Sequence, residues 1–270
     1  MMKLQSATIA LITLSVASVL APSVTYPAAT NNRSAGEVAQ PFVLMPDLIV
    51  DSRSLGQNLK IRTEKFTASQ CDVVEDGISS GSHAVMRFTV STPNVGDAAL
   101  QIGDPNYHYY TLNDGLFEFA PCHGHFHYRH YATYELIDPV SGYSWRAAKR
   151  GFCMIDVAQY QPSNVRNSSK PVYTVCGSPG VTGNQGISAG FADVYDWQLQ
   201  GQYFVLDGGD GQPPVPPGNY FLRITVNPPF VAQAGENCPY TDTLGLCHQL
   251  PESDYSNNVS QIVVSVPRTK

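Results

Sequence analysis

Proline and glycine interrupt this chain too often for long helices. Twenty Pro and 22 Gly are spread through 270 residues. Each removes a backbone donor or loosens a helix interior. No amphipathic stretch of helical period and convincing length survives between them. What remains are short β runs between turn residues, at 83–90, 131–137, 143–149, 202–206, 219–226 and 259–266. The last two alternate apolar and polar side chains, as half-buried strands do. The 139–142 turn is expected to join two β runs into a hairpin, and 207–218 (DGGDGQPPVPPG) is a Gly/Pro loop. The expected fold is mainly β: a single β-sandwich-like domain over 46–268, with a barrel as the alternative. Long loops, few short helices and disulfide braces complete it.

Composition narrows the partners. Charged residues make up 14% of the chain, against roughly 25% in an average soluble protein. Hydrophobics at 43% keep that low charge from meaning disorder. With 16 Lys+Arg against 22 Asp+Glu, no basic surplus exists to follow a phosphate backbone, so nucleic acid is not an expected partner. Past residue 21 no apolar run approaches the ~20 residues of a membrane span.

Residues 1–21 read as a secretory signal, with Lys3 ahead of an apolar 7–20 segment. Cleavage is expected after Ala21 or near Ala28 or Ala29. The signal is therefore placed at 1–29 and a flexible linker at 30–45; an uncleaved N-terminal anchor is the alternative. A secreted, extracellular location follows. Cys71, Cys122, Cys153, Cys176, Cys238 and Cys247 form an even set suited to disulfides there. Cys238 and Cys247 bracket a short polar loop and are expected to pair. Asn32, Asn167 and Asn258 each begin an N-x-S/T triplet.

The densest chemistry lies at Cys122-His123-Gly124-His125-Phe126-His127-Tyr128. On an extended strand His123, His125 and His127 project to one side, while Phe126 and Tyr128 project to the other. Three imidazoles on one face suit Cu, Zn, Fe or Ni, and three protein ligands leave a coordination position open.

This block resembles the lysyl oxidase family of copper amine oxidases. It is followed by Tyr134-Glu135-Leu136-Ile137-Asp138. Further blocks in the same order are Lys149-Arg150-Gly151-Phe152-Cys153, and Gln185-Gly186-Ile187-Ser188-Ala189-Gly190 with Asp193-Val194-Tyr195. Pro217-Gly218-Asn219-Tyr220 with Val226-Asn227-Pro228 comes next, and Pro251-Glu252-Ser253-Asp254-Tyr255-Ser256-Asn257-Asn258 comes last.

The resemblance implies Cu²⁺ on His123, His125 and His127. It implies a lysine tyrosylquinone fused from Lys149 and Tyr195, with Asp193 as catalytic base. It also implies a structural Ca²⁺ on Glu252, Asp254, Asn257 and Asn258, joined by Asp47 and the main-chain oxygen of Leu48. A polar turn before the last strand is the other reading of that stretch. A Cys122–Cys176 bridge is implied too, leaving Cys71 and Cys153 to pair by default.

The implied activity is that of a secreted oxidoreductase. It would convert primary amines, peptidyl lysine in particular, to aldehydes with O₂, releasing H₂O₂ and ammonia. Its partners would be a primary amine or Lys-bearing protein and O₂. The residues add support. Tyr143, Trp145, Ala147 and Lys149 share one parity on an expected strand, which places Lys149 on the apolar register. A desolvated Lys keeps more of the neutral, nucleophilic amine. Two rivals use the same histidines: a zinc hydrolase and a non-enzymatic metal-binding β-sandwich module. Neither has use for Lys149 and Tyr195 together.

Overall fold

Alternation in 218–226 builds the largest sheet. In the Gly218–Val226 strand the side chains of Tyr220, Leu222, Ile224 and Val226 are buried, while Asn219, Phe221 and Arg223 between them are more exposed; Thr225 near the strand end is buried as well. The computed structural model describes residues 43–160, 169–233 and 237–268. In it this strand pairs antiparallel with Val259–Val266 on one side and Ala132–Ile137 on the other, and Ser144–Arg146 closes the sheet. Tyr134, Leu136 and Trp145 continue the buried face. Each fully buried Leu or Ile stabilises by roughly 1.5–3 kcal/mol. The 139–142 hairpin is present: Asp138 accepts from Val140 N and Ser141 Oγ, fixing the turn between Ile137 and Ser144.

Smaller sheets pack against the same core. Lys60–Phe66, Gly81–Arg87 and Tyr203–Val205 form one; Val90–Pro93, Phe191–Tyr195 and Ala158–Gln159 form another. Phe88 joins the layers, with its ring 5.1 Å from Phe204 and 5.5 Å from Tyr134 between centroids. The expected 83–90 run is thus divided. It leaves one sheet after Arg87, whose guanidinium is bound by Glu64, and enters the next at Val90. Among the described residues helix is confined to short turns such as Ser52–Gln57 and Cys71–Val74. The domain is mainly β and disulfide-braced. The expected signal at 1–29, most of the linker, Asn32 and Asn167 lie outside the described residues. Asn258 is buried with its amide on Glu252, a position closed to a glycan.

The bridges correct one expectation. Cys71 pairs with Cys122 and Cys153 with Cys176, in place of Cys122–Cys176 and Cys71–Cys153. The short Cys71–Val74 helix lies over the turn that carries Cys122, with Cα atoms 5.5 Å apart, whereas Cys176 faces Cys153 at 5.4 Å. Both separations suit a bridge. Cys238 pairs with Cys247 across the short loop. Closing separations of 51 and 23 residues contributes about 3–4 kcal/mol each in the chain-entropy account.

Gln185 ties these parts together from a fully buried position. It donates to the carbonyls of Phe126 and Cys176 and accepts from Met154 N. Satisfied in this way, a buried amide fixes the histidine strand against the Cys153–Cys176 segment.

Candidate metal and quinone site

The histidine strand is shorter than its parity suggests. It runs His125–Tyr128, antiparallel to Phe117–Ala120, so only His125 and His127 share its face. Phe126 and Tyr128 enter the core on the other side. His123 precedes the strand in a tight turn closed by Gly124 at φ +74°, a conformation that glycine adopts without Cβ strain. The turn still delivers the ring: centroids of His123 lie 5.1 Å from His127 and 6.0 Å from His125, and those of His125 and His127 are 4.8 Å apart.

The nitrogens sort by partner. Nδ1 of His123 meets Glu75 Oε2 at 2.6 Å, and Nδ1 of His125 meets the His123 carbonyl at 3.1 Å. The Nε2 atoms of His125 and His127 approach to 3.1 Å, and Nε2 of His123 is buried with no partner. Nitrogens about 2.0–2.1 Å from one metal, at roughly right to tetrahedral angles, lie about 2.9–3.4 Å apart. Among the described residues no three His, Cys, Asp or Glu already stand as a finished metal-binding group. The donor chemistry nonetheless fits a copper-type ion, because a cation would satisfy the orphaned Nε2 of His123 and could take the lone pairs of the adjacent His125 and His127 Nε2 atoms.

Electrostatics favour the ligand form. Burial, then the Lys149 charge and the neighbouring histidines, push the His127 pKa far down. Burial and His123 lower that of His125. Neutral imidazole is what a metal binds.

Gly151 supports His127 by being small. A Cβ there would fall 2.3 Å from His127 Nδ1. Gly151→Ala is therefore expected to displace the ring and to weaken the binding of any metal ion these imidazoles hold on the order of tenfold or more, read by chelator competition. Unchanged affinity would show that the ring position does not matter.

Lys149 does not lie on a strand. The Ser144–Arg146 strand ends early, Ala147 and Ala148 are both buried, and the parity that linked Trp145 to Lys149 is lost. The loop instead aims Lys149 inward: its Nζ is 5.4 Å from the Tyr195 ring centroid and 5.8 Å from that of Phe152. Burial lowers the Lys149 pKa, while Asp76, Asp193 and Asp72 pull it back up.

Tyr195 ends the Phe191–Tyr195 strand, with Asp193 two residues earlier on the same face. The Tyr195 hydroxyl donates to the Cys153 carbonyl at 3.0 Å. Asp193 is buried with Oδ2 unpartnered; burial raises its pKa well above the usual 3.8, while Tyr195 and Lys149 lower it.

One cleft of about 720 Å³ reaches His123, His125, Lys149, Asp193 and Tyr195, with Ile155, Val157 and Leu199 along its walls. His127 opens on a separate cleft beside Glu75, Asp76 and Arg150. The sequence reading did not single out Glu75 or Asp76, which lie far upstream in no motif. Burial raises the Asp76 pKa to about 6 against the pull of Lys149.

The acidic and amide set also assembles. Glu252 accepts from Leu48 N, Asn227 Nδ2 and Asn258 Nδ2, and Asn257 Nδ2 donates to Asp47 Oδ1. Leu48 meets the cluster through its N–H. Asp254 Oδ1 is taken by Ser256 N and Oγ. Oδ1 of both Asn257 and Asn258 is buried without a partner, an oxygen-rich set that fits a hard cation such as Ca²⁺.

A sequence profile described as lysyl oxidase matches residues 46–248. Protein-lysine 6-oxidase of Homo sapiens is 25% identical over 226 residues, spanning 82% of this chain and 43% of that protein. Protein-lysine 6-oxidase of Gallus gallus is 24% identical over 227 residues, spanning 80% and 44%. Lysyl oxidase homolog 1 of Homo sapiens is 23% identical, spanning 80% and 32%. The chain thus spans less than half the length of each of these relatives. With three quarters of its length inside the profile, the chain belongs to the lysyl oxidase family.

Proposed function

We propose that this chain is a copper-dependent amine oxidase that makes its own quinone from Lys149 and Tyr195. It converts primary amines, peptidyl lysine among them, to aldehydes with O₂ and releases H₂O₂ and ammonia. The observation that carries the reading is Lys149 Nζ 5.4 Å from the Tyr195 ring beside three imidazoles.

His123, His125 and His127 would hold the copper. Bound copper and the matured lysine tyrosylquinone supply the redox chemistry and the electrophilic carbonyl that amino acid side chains lack. Desolvation keeps part of Lys149 as the neutral amine that can bond to carbon. Phe152 and Tyr131 wall the Tyr195 ring, at 5.2 and 6.4 Å between centroids, and exclude water from it. Asp193 Oδ2 would take the proton from the carbon bearing the amine. Three disulfides accord with export to an oxidising compartment. No helix among the described residues is long and apolar enough to cross a membrane.

The test is mass spectrometry of protein folded with Cu²⁺ under air. A single digest species joining the peptides around Lys149 and Tyr195 is expected, with a phenylhydrazine-reactive visible band. Two separate, unmodified peptides from copper-loaded protein would overturn the reading.

The oxygens of Asp47, Glu252, Asp254, Asn257 and Asn258, with the main-chain oxygen rather than the N–H of Leu48, are proposed to hold a structural Ca²⁺. Burial raises the Glu252 pKa from 4.5 to about 8. Glu252 then binds its proton more tightly in the folded chain than in the unfolded one. That contribution to stability is full below about pH 4.5 and is lost as pH rises through about 8. Chelator-treated protein should melt at lower temperature as pH rises from 5 to 9. Ca²⁺ at a hundredfold excess over its Kd should restore roughly 5–10 °C at pH 8, and less at pH 5. A calcium response equal at both pH values would rule out Glu252 as a ligand.

A further inference from the structure

We infer that Glu75 is a positioning residue: it fixes the tautomer of His123 and so determines that Nε2, and not Nδ1, is offered to the metal. The inference rests on the proposed reading of the three histidines and goes beyond it to a residue outside every motif.

Glu75 follows the Cys71–Val74 helix, whose first residue is disulfide-bonded to Cys122, the neighbour of His123. The bridge carries the carboxylate to the turn. There its two oxygens take two different donors: Oε1 meets Cys122 N at 2.5 Å and Oε2 meets His123 Nδ1 at 2.6 Å. A carboxylate only accepts, so the proton of the neutral ring resides on Nδ1. Nε2 is left with its lone pair, and it is this atom that is buried with no partner. Carboxylate support of a ligating imidazole fixes ring orientation and raises its basicity.

The demand is for a carboxylate specifically. Both oxygens face N–H donors, and an amide can accept at only one of them. Glu75→Gln must set its own NH₂ against either Cys122 N–H or the imidazole. Facing the imidazole, it donates to Nδ1, moves the ring proton to Nε2 and blocks the metal-binding lone pair. Facing Cys122, it leaves a donor against a donor at the turn.

The experiment has two arms. In metal-free protein labelled with ¹⁵N at histidine and held at pH 8, long-range ¹H–¹⁵N correlation reads the tautomer of each ring. The wild type is expected to show His123 protonated at Nδ1, and Glu75→Gln to shift it toward Nε2. Wild-type His123 protonated at Nε2 would overturn the inference.

In the second arm, chelator competition measures Cu²⁺ affinity. Glu75→Gln should bind about 10–100-fold more weakly. Glu118→Gln should bind as the wild type does, since it removes an equal charge from the rim of the same cleft and Glu118 faces Arg129 at 3.7 Å. Equal losses in both variants, or none in Glu75→Gln, would overturn it. If the wild type fails to bind Cu²⁺, the amine oxidase reading falls, while the tautomer still decides the role of Glu75.

Discussion

Arginine at position 149 is expected to leave copper bound and amine turnover abolished. Arg preserves the positive charge that faces Asp76 and Asp193. It stays protonated at every working pH, so it offers no neutral amine to carbon. Lys149→Arg should therefore yield no joined peptide and no phenylhydrazine-reactive band. Amine-dependent H₂O₂ release should fall on the order of 10³-fold or more. Copper per chain should be unchanged, because burial is the largest cause holding His125 and His127 neutral and Arg keeps the positive charge that adds to it. Lys149→Ala provides a second reading in which steric strain is absent. Near wild-type turnover in either variant would mean that the amine at 149 is not part of the cofactor. Loss of copper in both would mean that Lys149 is structural first.

The proximity behind that prediction was legible only in part. Period-two spacing placed His125 and His127 on one face correctly, because both lie in the His125–Tyr128 strand. It placed His123 there for the wrong reason, since the turn at Gly124 breaks the strand and redirects the ring. The parity argument for Lys149 failed outright. Two alanines are small enough for the chain to turn inward after Arg146, and the loop, not a strand, aims the amine. The Cys238–Cys247 bridge could be read from its short loop. The other two depend on which segment covers the turn at Cys122, a tertiary fact with no local signature. Glu75 was illegible for the same reason, as it reaches His123 across 48 residues. The β content was plain because Gly and Pro punctuate the whole chain. The small sheets were not, because pairing between distant strands leaves little trace in either strand alone.

Removing one buried carboxylate oxygen should expose the proton-transfer step. Asp193→Asn is nearly isosteric and keeps an oxygen, but its amide cannot take a proton. Turnover per quinone, counted by phenylhydrazine titration, should fall about 10²–10⁴-fold. Counting per quinone separates this loss from any defect in maturation. The pH profile gives an independent reading. Burial raises the Asp193 pKa above its usual 3.8, and the Lys149 charge is among the factors opposing that rise. Bonding Lys149 to the ring removes an ammonium, so the carboxyl of mature protein should titrate higher still. On the proposed reading turnover requires the carboxylate, so kcat/KM should rise with pH through that raised value. The acidic limb should therefore lie well above the ordinary aspartate range and vanish in Asp193→Asn. A limb near pH 4, or one unchanged in the variant, would place the catalytic base elsewhere.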